Sequence, residues 1–339
     1  MIDLIVAGGG PVGLTAALYA RRAGLVVTVI EPRSDDIDKA CGEGLMPSAV
    51  ARLADLGVDP PGLPFHGIRY LDGGHHAEAR FRRGAGRGVR RTSLHGALRH
   101  AALDAGVGFV RGRVGQVTPV AGGIEAGGLS ARYLIGADGL HSAVREAIGV
   151  ARPARGPQRF GVRQHFRLAP WTDLVEVHWL PRAEVYITPV AADVVGVAVL
   201  GARPLSLTEA IAALPELNAR LAGAEPASTE RGAGPLRQST SARTAGRTLL
   251  VGDAAGYVDA LTGEGMRIGF AEAQAAVDAI VRQDPSAYEA EWTRITRSYR
   301  HLTNGLVWAA DHPAIRRLIV PGASAVPGVF RRVVDALAD

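Results

Sequence analysis

The sequence predicts a mixed α/β protein, in which a parallel sheet flanked by helices carries a second layer of mostly antiparallel strands. Ile2–Ala7 is apolar except for one aspartate, residues 11–24 have helical spacing of apolar side chains, and residues 25–30 form a second apolar run. These three segments form a strand–helix–strand unit. Its right-handed crossover places the two strands side by side in a parallel sheet. Two separated blocks of short strands, at 68–91 and 159–200, predict the antiparallel layer.

The remaining elements follow in chain order. A helix is predicted at 47–56, before the Pro/Gly-rich DPPGLPFHG, and helical periodicity returns from residue 93. Short strands are expected at 108–110, 113–118, 123–125, 132–135, 159–167, 174–180, 184–189 and 193–200. Ser206 and Glu209 form a capping box, and a strand at 248–251 precedes a helix at 264–282. Asp284 and Pro285 predict the start of the next helix, and the helical tail should be interrupted at Pro321 and Pro327.

Composition excludes several classes of protein. All but one of the 38 basic residues are arginines, and they are scattered among acidic residues rather than forming a run, which argues against a nucleic-acid partner. The single cysteine cannot form an internal disulfide or a multi-cysteine zinc site, so no metal is predicted and a cytoplasmic location is expected. No apolar segment is long enough for a transmembrane helix. The amphipathic, basic segment at 315–334 is expected to pack over a pocket rather than to contact a membrane.

Gly8, Gly10 and Gly13 form a G-x-G-x-x-G motif between the first strand and the first helix. These glycines permit a tight turn, close approach of a pyrophosphate and close packing of helix on strand, while the helix N-terminus faces the anion. Glu31 ends the second strand, where a carboxylate accepts hydrogen bonds from ribose hydroxyls. The pattern predicts a Rossmann-like domain that binds FAD or NAD rather than NADP.

Two later motifs favour FAD. I-G-A-D-G-L-H-S-A-V-R, at 135–145, resembles the A-D-G-x-x-S-x-x-R segment of FAD-dependent monooxygenases of the p-hydroxybenzoate hydroxylase type. L-V-G-D-A-A, at 250–255, followed by T-G-E-G-M, at 262–266, is similar to the G-D-A-A motif and glycine-rich helix start of the same flavoproteins. The resemblance covers most of the chain to about residue 283.

The resemblance implies a set of cofactor-binding residues. Asp253 would contact the ribityl chain, the loop at 263–266 would present backbone N–H groups to the flavin, and Arg91 would reach the cofactor from a helix start. Asp138 would support the pyrophosphate side, with Arg145 tying its segment down, and the strand backbone at Val114 would meet the adenine. The full predicted set is Gly8, Gly10, Pro11, Val12, Gly13, Glu31, Pro32, Arg33, Lys39, Cys41, Gly42, Arg91, Val114, Asp138, Asp253, Gly263, Glu264, Gly265 and Met266.

The resemblance also implies a domain division. An FAD-binding domain is expected from 1–60, 92–155 and 241–283, a substrate domain from 61–91 and 156–240, and a C-terminal helical segment from 284–339. Within the FAD-binding domain, C-G-E-G at 41–44 resembles the corresponding segment of the geranylgeranyl reductases and flavin-dependent halogenases. Hydroxylases usually have arginine in place of Cys41. The aromatic motif Y-x-W-x-F-P of that branch is reduced to E-V-Y-I-T-P at 184–189, and the halogenase motif W-x-W-x-I-P is absent from the chain.

These observations predict an FAD-dependent oxidoreductase. The leading expectation is a monooxygenase that hydroxylates or epoxidises a small hydrophobic or aromatic secondary metabolite through a flavin hydroperoxide. One alternative is a reductase of carbon–carbon double bonds, with Cys41 as proton donor or positioning residue; another is a non-redox flavoprotein cyclase or binding protein. Electrons would come from transiently bound NAD(P)H, a reductase or a ferredoxin, since no second dinucleotide loop follows a predicted strand.

Overall fold

The computed structural model of the protein describes residues 2–34 and 36–338 and has the predicted mixed α/β fold. Its helices are α1 (Pro11–Arg22), α2 (Pro47–Asp55), α3 (Arg91–Asp104), α4 (Ala143–Ala147), α5 (Leu207–Ala212), α6 (Pro215–Leu221), α7 (Gly265–Val281), α8 (Ala287–Asp311), α9 (Pro313–Arg316), α10 (Ile319–Ala325) and α11 (Pro327–Ala338). A 3-10 turn spans Gly252–Ala255.

Its strands are β1 (Ile2–Ala7), β2 (Val27–Glu31), β3 (Gly44–Leu45), β4 (Leu63–Phe65), β5 (Gly67–Leu71), β6 (His76–Arg80), β7 (Gly86–Gly88), β8 (Gly108–Arg111), β9 (Val117–Val120), β10 (Gly123–Ala126), β11 (Leu129–Gly136), β12 (Ala151–Arg152), β13 (Phe160–Arg167), β14 (Val175–Trp179), β15 (Ala183–Ala191), β16 (Val194–Gly201), β17 (Arg231–Ala233), β18 (Ser239–Thr240), β19 (Thr244–Ala245) and β20 (Thr248–Leu250).

The first sheet has the order β19-β20-β11-β1-β2-β8, and β1 lies parallel to both β2 and β11. The predicted βαβ unit is therefore confirmed, with Leu4 opposite Val27. Buried aliphatic residues of these strands pack against α1, α3 and α7, which gives the core of this half of the molecule. The carboxyl ends of the strands in such a sheet are where ligands bind, and Glu31 and the glycine loop lie at these ends.

The second sheet has the order β17-β13-β16-β15-β14-β5-β6 and is antiparallel except between β14 and β5. Ile68 of β5 lies opposite Val175 of β14, so the two strand blocks that are far apart in sequence form one layer. Residues on one face pack against α5 and α6, and residues on the other face pack against the C-terminal helices. No described helix is long and apolar enough to span a membrane, within residues 2–34 and 36–338.

Three predicted elements are wrong in detail. The strand predicted at 113–118 begins only at Val117; residues 112–116 have no regular secondary structure, and Val114 is buried in the core. Asp284 does not occupy the cap position, since α8 starts at Ala287; its carboxylate instead accepts hydrogen bonds from Ser286 Oγ (2.5 Å) and Ala287 N (3.3 Å).

The third correction concerns the C-terminal helices. Pro321 lies in the first turn of α10 and does not interrupt it, because N–H groups of a first turn have no intrahelical partner to lose. The tail is interrupted instead at Pro313, which starts α9, and at Pro327, which starts α11 as predicted. Ser206 caps α5 as predicted, accepting from Glu209 N at 3.2 Å.

Candidate cofactor and substrate site

The glycine loop joins β1 to α1 in a backbone conformation that side chains would block. Gly8 has φ +103°, and a Cβ on Gly13 would lie 2.0 Å from the Gly8 carbonyl oxygen. A Cβ on Gly10 would meet only Arg91 Nη2, at 4.0 Å, so the space beside the N-terminus of α1 is open and faces a guanidinium. Pro11 begins α1, and no side chain caps this helix end. The first turn thus offers free N–H groups to an anion.

Glu31 ends β2 directly beside this loop. Its Oε2 accepts a hydrogen bond from Gly9 N at 2.8 Å, and its Oε1 accepts one from Arg33 Nε at 2.7 Å. Burial alone would raise the pKa of Glu31, but the hydrogen bonds from Arg33 and Gly9 outweigh it and hold the pKa below its ordinary value. The carboxylate is therefore ionised and able to accept from ribose hydroxyls.

Lys39, Arg91 and Asp253 converge on the same groove from three elements. Burial lowers the pKa of the Lys39 ammonium, although the nearby Asp253 opposes this shift. Burial raises the pKa of Asp253, and Lys39, Arg91 and Arg145 oppose that shift. Lys39 also faces Gly139, where an added Cβ would lie 3.2 Å from its Nζ. The groove thus carries positive charge near α1 and a carboxylate farther along.

Arg145 fastens the second motif to the third. Its guanidinium donates to the carbonyl oxygens of Leu140 (2.7 Å), Asp253 (3.3 Å) and Ala254 (3.2 Å) and to Gln238 Oε1 (2.9 Å). Asp138 Oδ2 accepts from Val144 N at 3.1 Å, which holds the start of α4. Burial raises the pKa of Asp138. Arg145 is therefore a positioning residue for the Gly252–Ala255 turn.

The glycine-rich start of α7 closes the groove. Gly263 has φ +70°, α7 begins at Gly265, and Met266 Sδ lies 3.9 Å from Arg91 Nη1. Glu264 is buried and paired with Arg267. Predicted residues of the glycine loop, of the 250–255 motif and of the 262–266 loop thus lie around one groove, together with Lys39 and Arg91.

Three predicted residues lie at its edges. Val114 is buried beside Ile30 and Gly127, at the end of the groove beyond Glu31. Pro32 follows β2, and its carbonyl oxygen accepts from Arg111 Nε at 3.4 Å. Gly42 is exposed with open space around it. Direct cofactor contact by these residues stays a prediction.

Several buried polar atoms around the groove lack a hydrogen-bond partner among the described residues: Arg91 Nε, Asp138 Oδ1 and Glu264 Oε2. Buried polar groups without partners are rare in proteins, so they indicate a bound polar group. An uncapped helix N-terminus, an ionised carboxylate at the end of β2 and buried polar atoms without partners among the described residues are groups that suit a dinucleotide. The residues present therefore fit FAD.

Cys41 lies on the loop between β2 and β3. The thiol is half-buried, and its Sγ accepts from Glu43 N at 3.4 Å. It also contributes to the electrostatic surroundings of Tyr257, whose ring lies 3.4 Å from where a Cβ on Gly265 would be. Cys41 thus lies on the side of the site that carries Tyr257 and the glycine-rich start of α7, and its contact with the cofactor stays a prediction.

The cluster between the second sheet and the C-terminal helices is apolar and aromatic. Tyr70 packs at a tilt against Trp179 and Phe330, with ring centroids 5.4 Å and 4.9 Å apart, and the C-terminal helices add Val307, Val320 and Val334 to the same cluster. Tyr186, the surviving ring of the aromatic motif, donates from its hydroxyl to the Leu261 carbonyl oxygen at 2.9 Å.

The polar residues of that motif are paired. Glu184 forms ion pairs with Arg159 and Arg316, and Thr188 Oγ1 donates to the Gly42 carbonyl oxygen at 2.8 Å. Arg159 lies 3.5 Å from Asp259, and burial raises the pKa of Asp259 to about 6. The partners that the buried Glu184 requires are therefore supplied by Arg159 and Arg316, which are distant in the sequence.

Sequence reasoning missed three supporting residues. His95 Nε2 lies 3.1 Å from the Gly9 carbonyl oxygen and its Nδ1 lies 3.0 Å from Asp36 Oδ1. Glu272 Oε2 accepts from Gly252 N at 2.6 Å, and burial raises the pKa of this carboxyl to about 8. Glu43, in the C-G-E-G motif, is buried and contacts His165. Two of these residues stand out in the sequence. Glu272 is a polar residue on an otherwise apolar helix face, and Glu43 is a charged residue between two glycines.

Comparison with known proteins identifies an FAD-binding segment in the chain. The family described as "FAD binding domain" matches residues 115–282, just under half of the chain, and includes the second and third motifs. The chain is an FAD-dependent oxidoreductase. The predicted fold class and the predicted cofactor FAD are thereby confirmed.

The relatives of this FAD-dependent oxidoreductase include both reductases and hydroxylases. A menaquinone reductase of Mycolicibacterium smegmatis is 28% identical over 333 residues, which cover 88% of this chain and 80% of that protein. A 3-(3-hydroxy-phenyl)propionate/3-hydroxycinnamic acid hydroxylase of Mycobacterium sp. is 29% identical over 171 residues, which cover 44% of this chain and 30% of that protein. A solved flavoprotein/dehydrogenase from Cytophaga hutchinsonii has the same fold, with a TM-score of 0.85, 17% identity and coverage of 99% and 92%.

Proposed function

We propose that this oxidoreductase is a monooxygenase acting on a small hydrophobic or aromatic metabolite. The observation that carries the proposal is the apolar, aromatic wall formed by Tyr70, Trp179 and Phe330 between the second sheet and the C-terminal helices. Bound FAD supplies the electron transfer to O₂ and the transfer of one oxygen atom. The chain's part is to bind the substrate over the ring system and to exclude water.

The C-terminal helices supply the enclosure. Buried residues of α8, α10 and α11 pack directly against the sheet residues Tyr70 and Trp179. Burying aromatic side chains removes 150–250 Å² each from water, roughly, so this cover is a stable part of the fold. An apolar, aromatic surface of this kind suits a flat, unsaturated substrate better than a charged or strongly hydrated molecule.

The hydroxyl groups near the site orient a substrate better than they protonate it. Burial raises the pKa of Tyr257 and of Tyr186 well above the ordinary value, so both remain protonated and give up a proton reluctantly. Saturation of a carbon–carbon double bond needs a proton as well as a hydride, whereas oxygen transfer depends mainly on a dry, well-oriented site. Neither tyrosine is therefore suited to supply that proton.

A second candidate function is reduction of a hydrophobic quinone. It is supported by the menaquinone reductase, which aligns with 88% of this chain, whereas the hydroxylase aligns with 44%. The half-buried Cys41 would then position the substrate or donate its thiol proton. The matched length is the specific observation in favour of this candidate.

One experiment separates the candidates. The FAD-loaded protein is mixed anaerobically with NADH or NADPH and either a long-chain alkylphenol or menaquinone, and is then exposed to ¹⁸O₂. Monooxygenation predicts flavin reduction and a product heavier by one ¹⁸O atom. A reduced product without ¹⁸O, formed before oxygen is admitted, would support the reductase and contradict the proposal, and turnover without net flavin reduction would support a non-redox role.

A further inference from the structure

A cavity of about 380 Å³ behind the flavin-side turn is lined by four arginines. Arg152 and Arg155 form one side, Arg237 a second and Arg300 of α8 a third, and Tyr257 lies on its wall. The other lining residues are Pro153, Gln238, Ser239 and Val258, so no carboxylate lines this cavity. We call it the arginine cavity.

The guanidinium groups of the arginine cavity form no ion pair with the carboxylates of residues 2–34 and 36–338. Arg152 Nη1 donates to the Ala151 carbonyl oxygen at 2.9 Å, and Arg237 Nη1 donates to Asn304 Oδ1 at 3.0 Å. Arg237 Nε is buried and has no hydrogen-bond partner among the described residues. A buried guanidinium N–H without a partner costs free energy that a bound anion would recover.

The arrangement also keeps like charges close together. Burial lowers the pKa of Arg300, and the neighbouring Arg243 and Arg237 lower it further. The carboxylates that act on these arginines from a distance, Asp259 and Glu272, are engaged elsewhere: Asp259 lies 3.5 Å from Arg159, and Glu272 accepts from Gly252 N at 2.6 Å. Four guanidinium groups around one cavity without a carboxylate in its lining favour phosphate as a ligand, because phosphate oxygens match the planar arrangement of the guanidinium N–H groups.

The arginine cavity is coupled to the cofactor groove by hydrogen bonds. Gln238 N donates to the Tyr257 carbonyl oxygen at 2.9 Å, and Gln238 Oε1 accepts from Arg145 at 2.9 Å. Arg145 in turn binds the carbonyl oxygens of Asp253 and Ala254. The cavity wall is therefore continuous with the turn that carries Asp253.

We propose that the arginine cavity binds the phosphate groups of NADH or NADPH when this electron donor docks to reduce the flavin. The glycine loop at 8–13 accounts for one dinucleotide, FAD, so the donor needs a separate anion site. The pyrophosphate of NADH carries about two negative charges, and NADPH adds a further phosphate, which four arginines can match. The inference rests on FAD-dependent oxidoreduction alone and holds whether the reduced flavin then serves an oxygenase or a reductase.

The test measures nucleotide binding to the oxidised, FAD-loaded protein. Isothermal titration with NAD⁺, NADP⁺ and inorganic phosphate is carried out on the wild type, on Arg300→Gln and on Arg237→Gln/Arg300→Gln. Arg297→Gln, an exposed arginine one turn earlier on α8, is the matched control. FAD content and thermal unfolding show whether each variant is folded, and Arg300→Lys tests whether a single charge suffices.

The expected result is a Kd for the nucleotide at least tenfold higher in the double variant, with Arg297→Gln unchanged and inorganic phosphate competing with the nucleotide. The concentration of donor needed for half-maximal anaerobic flavin reduction should rise in parallel. An unchanged Kd in the folded variants, or binding of inorganic phosphate without any nucleotide (an adventitious ion only), would overturn the proposal.

A separate arm distinguishes this inference from the proposed function. Flavin reduced with dithionite needs no nucleotide, so the double variant treated in this way should still give ¹⁸O-labelled product. If dithionite-reduced wild type gives none, the monooxygenase proposal fails, while the nucleotide-binding result stands.

Discussion

Glu43 Oε2 lies 2.5 Å from His165 Nε2, and this buried contact joins the loop that carries Cys41 to strand β13 of the second sheet. Glu43 Oε1 accepts from Arg91 N at 2.7 Å, at the start of α3. His165 Nδ1 lies 2.8 Å from Ser228 Oγ. One carboxylate thus fixes the relative positions of the cofactor loop, the arginine-bearing helix and the substrate sheet. Glu43 has φ +58°, a conformation that costs free energy and is retained where such contacts compensate for it.

Removal of this contact should loosen the site. His165→Ala leaves the Glu43 carboxylate buried without its imidazole partner, so we expect the free energy of unfolding to fall by about 2–4 kcal/mol and FAD affinity to fall with it. Urea unfolding and FAD titration measure the two effects. His301→Ala, at an exposed position of α8, should change neither. Equal stability of the two variants would contradict the role given to His165.

FAD binding should require the planar guanidinium group of Arg145 and not only its positive charge. A lysine retains the charge but has no planar fork, so Arg145→Lys cannot reach Leu140, Gln238 and the Asp253–Ala254 carbonyls together. We expect FAD affinity to weaken about 10–100-fold, at roughly 1.4 kcal/mol per tenfold. Arg247→Lys is the control, since its guanidinium packs over the Tyr133 ring, remote from the cofactor groove. Unchanged FAD binding by Arg145→Lys would show that the Gly252–Ala255 turn holds its shape without it.

Cys41 distinguishes the two candidate reactions. If the protein is a monooxygenase, Cys41→Ala should retain product formation within about threefold, because oxygen transfer requires no thiol proton. If it is a reductase that uses this proton, the same variant should lose product formation about 100-fold or more, within the usual range for a missing general acid. Flavin reduction by NAD(P)H is measured in parallel as the internal control.

Glu272 should make stability depend on pH. Burial raises its pKa to about 8, while its unfolded value is near 4.5, so the unfolded chain releases the proton first as pH rises. The free energy of unfolding should therefore fall between about pH 4.5 and pH 8, with a slope of at most roughly 1.4 kcal/mol per pH unit from this group. Glu272→Gln keeps an oxygen to accept from Gly252 N but cannot ionise, so it should flatten this slope. The same pH dependence in the variant would contradict the assignment.

The sequence predicts the cofactor half of this molecule well because its signals are local. The glycine loop requires the absence of Cβ atoms at Gly8 and Gly13, and Glu31 closes a strand at a fixed distance from that loop. Strand alternation likewise predicts both blocks of the second sheet, although only the structure pairs Ile68 with Val175.

The substrate half could not be predicted in the same way. The partners of Glu184 are Arg159 and Arg316, and the partner of Glu43 is His165, which depend on tertiary packing rather than on spacing in the sequence. The start of α8 was misplaced by two residues for a related reason, since Asp284 binds its neighbours without serving as the cap residue.

The most direct measurement is the equilibrium binding of FAD to the wild type and to Gly13→Ala. A Cβ at residue 13 would lie 2.0 Å from the Gly8 carbonyl oxygen, so the loop that faces the pyrophosphate cannot keep its shape. Gly305→Ala, at an exposed helical position with open space around it, is the control. We predict one FAD bound per chain by the wild type and the control, and at least 100-fold weaker binding by folded Gly13→Ala. Equal FAD binding by all three proteins, or none by the wild type, would contradict the placement of FAD at this loop.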